Sequence, residues 1–121
     1  MQNIPPNVQH EITQFQQLEQ QYQMIATQLQ AAATELKEID DTLKELGEVN
    51  TEEVFKSVGS VMFKTDKATV EKQLGERKET LDLRKSTLER QEKRLRDKLQ
   101  ESQKKIQELL GTSGVTPGQG S

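Results

Sequence analysis

With 121 residues, 31% of them hydrophobic, 3% aromatic and 31% charged, the chain has little apolar surface from which to build a broad globular core. It contains no cysteine, which removes disulfide frameworks, thiolate nucleophiles and cysteine-based zinc sites together and suits a reducing compartment. The net charge of −3 is unevenly spread, since residues 1–47 carry two basic and seven acidic side chains whereas residues 67–110 carry thirteen basic and nine acidic ones.

The opening stretch MQNIPPNVQH has neither a basic region nor an apolar h-region. No apolar run approaches the roughly 20 residues that span a bilayer, so the chain is expected to be soluble and cytoplasmic, with no membrane partner. The first element is a helix over 5–46, begun by Pro5 and Pro6 and stopped by Gly47. Its apolar positions are Val8, Ile12, Phe15, Leu18, Tyr22, Ile25, Leu29, Ala32, Leu36, Ile39, Leu43 and Leu46. From Leu18 onward the steps alternate between four and three, the seam of a coiled coil.

Next comes VFKSVGSVMFK, residues 54–64, where β-branched and aromatic residues crowd around Gly59 and Ser60. A two-residue loop with glycine first predicts a β-hairpin over 53–65. Its pairing sets Val58 opposite Val61, Lys56 opposite Phe63 and Val54 opposite Thr65 on one face, with Ser57 opposite Met62 and Phe55 opposite Lys64 on the other. Large apolar groups therefore stand on both faces. An isolated two-stranded hairpin is marginal in water and its edges invite association. Either it folds down to cap the helix ends, or several chains pool their hairpins in a shared sheet or barrel, which the poor core of the single chain favours. Val54, Phe55, Val58, Val61, Met62 and Phe63 are the candidate assembly contacts.

A second helix is expected over 67–110, with Asp66 as N-cap and Gly111 at its end. Val70, Leu74, Leu81, Leu88 and Leu95 keep a period of seven, and Arg77, Arg84, Gln91 and Lys98 are the expected companions, covering apolar surface with their stems. Leu99, Ile106, Leu109 and Leu110 continue the stripe. Glu89 with Lys93, Glu92 with Arg96 and Glu101 with Lys105 stand at i and i+4, acid first, and read as a solvated ion-paired face. The glycine- and serine-rich remainder, 111–121, reads as a disordered tail.

Each helix carries one apolar stripe and needs a partner, which the other half of the chain supplies by folding back. The fold class is accordingly mainly α: a long antiparallel two-helix coiled coil with a small β-hairpin at the helix-to-helix connection, in a single domain. Leu29 then faces the neighbourhood of Arg84 and Val8 that of Lys105. The seam breaks phase at Ile12, Phe15 and Leu18 in one helix and at Gln91, Leu95 and Leu99 in the other, and these irregularities fall at one height of such a hairpin.

Catalysis has almost no foothold. His10 is the single histidine, and the glycines form no phosphate-cradling loop followed by Lys and Ser or Thr, so neither a metal nor a cofactor is expected and the chain reads as a non-enzyme. A nucleic-acid partner is disfavoured, because acids interleave the basic second helix and aromatic residues are scarce. A purely structural or adaptor coiled coil would explain the heptads but would leave the two-faced hairpin without a role.

The hairpin running into KTDK and then into a Leu-, Glu-, Lys- and Arg-rich helix, VFKSVGSVMFKTDKATVEKQLGERKETLDLRKSTLERQEKRLRDKLQE, together with the upstream NVQHEITQFQQLEQQ, resembles the beta class of prefoldin subunits, most of all the archaeal form. The single hairpin matches that class; the alpha class carries two. The resemblance implies a hexamer of two alpha and four beta subunits, built on a double β-barrel from which six coiled coils project. It further implies an ATP-independent holdase that captures unfolded client proteins between its tips and passes them to a group II chaperonin. An independent signal agrees: residues 1–34 contain only Glu11 and Glu19 as charges, with many glutamines around apolar side chains. The candidate client-binding residues at the tips are Val8, Ile12, Phe15 and Leu18 on the first helix and Ile106, Leu109 and Leu110 on the second. Lys104 and Lys105 lie where the family meets its chaperonin, although solubilising charge is the simpler reading of both.

Overall fold

The structure, a computed structural model of the chain, describes residues 4–112. It consists of α1 (Pro6–Gly47), β1 (Glu53–Val58), β2 (Val61–Asp66) and α2 (Lys67–Thr112). Two long helices joined through a two-stranded antiparallel hairpin are the architecture expected from the heptads and the Gly59-Ser60 turn. Gly111, expected to end the second helix, lies within α2, which runs to Thr112; the expected tail lies outside the described residues from 113 onward. The chain divides into two compact units, one formed by Leu29–Thr87 and the other by the stretches up to Gln28 and from Leu88 onward.

The start of α1 follows from its prolines. Pro6 occupies the first helical position, where no N–H is needed, and the Pro5 carbonyl accepts from the N–H groups of Val8 and Gln9, both at 3.0 Å. The side-chain amide of Gln9 reaches back to the Ile4 carbonyl at 2.9 Å. At the other end the Glu48 and Val49 N–H groups donate to the carbonyls of Glu45 and Leu46, tightening the last turn before the chain leaves the helix.

Within the unit Leu29–Thr87 the core is a small aliphatic cluster of Ala32, Leu36, Ile39 and Leu81, against which Leu43 and Leu74 pack. Burying a leucine of this kind is worth about 1.5–3 kcal/mol. Along α2 a stripe withdrawn from solvent runs Lys67, Glu71, Leu74, Lys78, Leu81 and Lys85, in steps of four and three, with Val70 and Gly75 half-buried beside it. Arg77 and Arg84, the expected companions of the leucines, are exposed. The companion lies four residues after each leucine rather than three, so Lys78 and Lys85 lay their stems along the seam, the part expected of the arginines.

Arg77 works from the flank instead. Its guanidinium makes a two-pronged contact with Glu35, Nε to Oε2 at 2.8 Å and Nη2 to Oε1 at 3.0 Å, while Lys78 meets Asp40 at 2.8 Å. The acidic first helix and the basic second one are thus stitched side by side here. The hydrogen bonds and positive charge of Arg77 hold the Glu35 carboxyl below its ordinary value, and Asp40 raises Lys78 above its own.

The hairpin has the register read from the sequence, from Val58↔Val61 at the turn to Val54↔Thr65, and closes at Glu53↔Asp66. Gly59 sits at φ 60°, the left-handed value that the first loop position demands, and open space surrounds it. Conformation, and not room, makes glycine necessary. The strand then turns directly into α2 through Asp66, whose Oδ1 accepts from the Thr69 N–H at 2.8 Å, so the expected N-cap is in place. The hydrogen bonds from Thr69 hold the Asp66 carboxyl below its usual range. Lys67 ties the connection after α1 to this junction, its N–H to the Glu52 carbonyl at 2.7 Å and its Nζ to the Val49 carbonyl at 2.9 Å.

Candidate functional site

Two surfaces carry the residues singled out in the sequence, one in each unit. The first is the hairpin. Of its apolar side chains only Val54 is half-buried; Phe55 is 61% exposed, Met62 66% and Phe63 53%, and Val58 and Val61 are about as open. Alternation along the strands sends Val58, Val61 and Phe63 to one face and Phe55 and Met62 to the other. The side chains do not fold down as a cap. Both faces of a two-stranded sheet, with two edges that no further strand of the chain pairs among the described residues, are left to water. The ion pair of Lys64 with Glu53, 3.1 Å across one face, is solvent-exposed and adds little.

The second surface belongs to the unit made by the N-terminal part of α1 and the C-terminal part of α2. Here one stripe withdrawn from solvent runs Val8, Glu11, Phe15, Leu18, Tyr22 and Ile25 on α1, and Leu88, Glu92, Leu95, Leu99, Ser102, Ile106 and Leu109 on α2, with Ala26 and Leu110 half-buried beside it. Both series alternate three and four without a break. The phase breaks expected at Ile12 and at Gln91 therefore do not occur: Glu11 takes the seam position given to Ile12, and Glu92 that given to Gln91. In α1 an apolar count passes over the polar residue in the seam and registers its apolar neighbour, Ile12, instead. Ile12 remains half-buried beside the seam, whereas Gln91 and Lys98 are exposed.

Polar residues persist there because each has a partner across the helix pair. The Ser102 hydroxyl donates to Glu11 Oε2 at 3.1 Å, and Lys105 Nζ stands 3.4 Å from Glu11 Oε1. The Tyr22 hydroxyl donates to Glu92 Oε2 at 3.2 Å, with Arg96 3.6 Å from the other oxygen. Of the three expected i,i+4 pairs, Glu92 with Arg96 forms; Lys105 reaches across to Glu11 rather than back to Glu101. These contacts also establish the antiparallel pairing within this unit and place Lys105 one turn from Val8. Sequence reasoning missed Glu11 and Ser102 as a unit, and the irregularities it noted, near Phe15 and Leu95, lie inward of their layer.

The residues proposed for the tips divide by exposure. Val8 is 0% exposed, while Ile12, Phe15, Leu18, Ile106, Leu109 and Leu110 each keep part of the side chain in solvent. Around them run glutamines: a shallow groove beside the polar layer is lined by Gln14, Gln17 and Gln21 with Leu18 and the pair Glu11–Ser102. No group of His, Cys, Asp or Glu that could hold a metal occurs among the described residues, and His10 is exposed on the surface of α1. No helix among those residues is long and apolar enough to cross a membrane.

Comparison with known proteins agrees with this geometry over nearly the whole chain. The family model described as "Prefoldin subunit" matches residues 9–113. The "Prefoldin subunit beta" of Methanococcus maripaludis is 53% identical over 108 residues, covering 89% of this chain and 96% of that protein. The "Prefoldin subunit beta" of Saccharolobus islandicus is 40% identical over 110 residues, covering 90% and 87%. Among solved structures, the crystal structure of the prefoldin beta subunit from Thermococcus strain KS-1 superimposes with a TM-score of 0.78 at 39% identity, covering 98% of this chain and all of that one. With a two-helix fold, a single hairpin and this likeness along its length, the chain belongs to the prefoldin family, among its beta subunits.

Proposed function

We propose that the chain is one of four beta subunits that join two alpha subunits in a hexameric, ATP-independent holdase of the cytoplasm. This assembly captures unfolded proteins on its helix pairs and delivers them to a group II chaperonin. Prefoldin is a family of chaperones rather than of enzymes, and membership supports the chaperone role. The observation that carries the assembly step is the hairpin, with Phe55, Val58, Val61, Met62 and Phe63 in water on both faces of a sheet too small to stand alone. Pooling such hairpins covers their edges and supplies the core that one chain lacks. Val54, half-buried, joins the same contact set.

Capture is assigned to the other unit. Its α1 side is amide-rich and sparing in charge, whereas α2 there is densely charged, and Ile12, Phe15, Leu18, Ile106, Leu109 and Leu110 contribute partly exposed apolar surface. Such a surface holds apolar segments without demanding a sequence. Val8 joins them when the first turn of α1 opens. Neither nucleic acid nor a membrane has a part in this reading.

The test separates the two roles. Leu109→Ser with Leu110→Ser should leave the mass of the complex with a prefoldin alpha subunit unchanged in native mass spectrometry, yet weaken suppression of client aggregation severalfold. Phe55→Ser with Phe63→Ser should abolish the complex. Full holdase activity in the first variant removes the capture assignment, and an intact hexamer in the second removes the assembly assignment.

A further inference from the structure

Shallow grooves run along the described residues of the unit that holds the polar layer, three of them informative. One contains Glu11 and Glu101, and another contains Glu19. The third has no carboxylate in its lining: Met24 and Ile25 of α1 and Leu95 of α2 supply its apolar part, and Gln21, Gln91, Arg94 and Lys98 complete it. Its volume of about 340 Å³ falls at the small end of ligand sites, enough for side chains rather than for a folded partner.

Two features set this groove apart from an ordinary solvated helix face. Met24 is 58% exposed, a flexible and polarizable side chain left in water beside the half-buried Ile25 and Leu95. Arg94 and Lys98 stand one helical turn apart, a like-charged i,i+4 pair that costs a helix stability. Among the described residues neither side chain takes part in an ion pair or a hydrogen bond, although those of Lys37, Lys64, Arg77, Lys78, Arg96 and Lys105 all do. A small apolar floor edged by two uncommitted cations is complementary to an apolar side chain with carboxylates beside it.

We infer that this groove binds segments of non-native polypeptide in which large apolar residues alternate with aspartate or glutamate, Met24 adapting to the side chain while Arg94 and Lys98 meet the acids. The inference rests on the holdase reading and narrows it: the chain has a preference for acidic amphipathic segments, located away from the residues assigned at the tips. The apolar floor favours a peptide over a nucleic acid, because phosphate would engage the cations and leave Met24, Ile25 and Leu95 without a partner.

Three fluorescein-labelled peptides that share their leucine and phenylalanine positions and carry glutamate, glutamine or lysine between them test it, by anisotropy against the full-length chain. At low salt the glutamate peptide should bind about tenfold more tightly than the glutamine one, and the gap should close as salt screens the pairs. Arg94→Gln with Lys98→Gln should remove that preference, both residues being exposed and free to change without unfolding the helix. Met24→Ser should weaken the glutamate and glutamine peptides alike. Equal binding of the three peptides overturns the inference, as does an undiminished preference in the doubly substituted chain. Displacement of the glutamate peptide by oligothymidylate of equal charge and concentration also overturns it, since the cations would then read phosphate. If the unsubstituted chain fails to suppress client aggregation while the peptide preference stands, the holdase reading falls and the groove survives; the reverse pattern sinks the groove alone.

Discussion

The layer of Glu11, Ser102 and Lys105 puts a charge into a seam that leucine or isoleucine could fill, and its energetics are open to measurement. Ser102 and Glu11 are each 6% exposed, so removing the serine hydroxyl takes a donor from a carboxylate that water barely reaches. Hydrogen bonds to charged groups contribute about 1.5–3 kcal/mol when the partner is left buried. Lys105 is largely exposed and stays 3.4 Å away, which restores part of the loss. Ser102→Ala should therefore cost about 1.5 kcal/mol, a little over tenfold in the local opening equilibrium. The readout is amide exchange in α1 around Glu11 and in α2 around Ser102, with α1 and α2 amides of the Leu29–Thr87 unit as internal controls. Glu11→Leu combined with Ser102→Ala should recover most of the loss, because a seam with both polar partners replaced carries no desolvated charge. If Ser102→Ala shifts local opening by less than about 0.5 kcal/mol and the two substitutions add in the double variant, Glu11 is solvated and the layer holds nothing.

Leu81 and Leu83 make an internal contrast on one helix. Leu81 is 2% exposed against Ala32, Leu36 and Ile39, so Leu81→Ala should cost about 3 kcal/mol in urea unfolding at fixed protein concentration, while Leu83, 73% exposed, should change stability by less than about 0.5 kcal/mol. Glu35 sets a pH dependence. Its folded carboxyl is held below its ordinary value of 4.5 by Arg77, so the Glu35–Arg77 contribution is present above that value and is lost as pH falls through the lower, folded one. Glu35→Gln should melt below the unsubstituted chain at pH 7, with the difference narrowing steadily under pH 4.5 and at high salt; a constant difference from pH 7 to pH 2 would refute the pairing.

Fold class and hairpin register were legible because each rests on a short-range rule. Gly59 and Ser60 between β-branched runs specify a two-residue turn, and once the turn is placed the period of two fixes every partner from Val58↔Val61 outward. The helices announced themselves by aliphatic spacing, and Asp66 by its place before the second stripe. What the sequence obscured was the identity of the polar residues inside the seam. Arg77 and Lys78 are adjacent and both long and basic, and only the packing against α1 decides which covers the core and which pairs with Glu35. Glu11 beside Ile12, and Glu92 beside Gln91, pose the same choice. The answer depends on a partner on the other helix, Ser102 or Tyr22, which no pattern within one helix contains.

That choice bears on how the proposed capture surface works. A seam made wholly of leucine would give its helix pair a broad apolar face whenever its ends parted, and such faces associate with one another. In the unit containing the tips the seam instead alternates apolar layers with Glu11–Ser102 and Tyr22–Glu92. Each polar layer holds the register through directional contacts, as a polar seam residue does in a coiled coil, and contributes little adhesive surface when open. The apolar groups are thereby divided: Val8 with Ile106, Leu109 and Leu110 lie on one side of the Glu11 layer, and Ile12, Phe15 and Leu18 between the layers. A client segment displacing one cluster need not open the next. Opening by single layers keeps each contact weak and many contacts available, which suits the proposed role of holding varied chains and then giving them up.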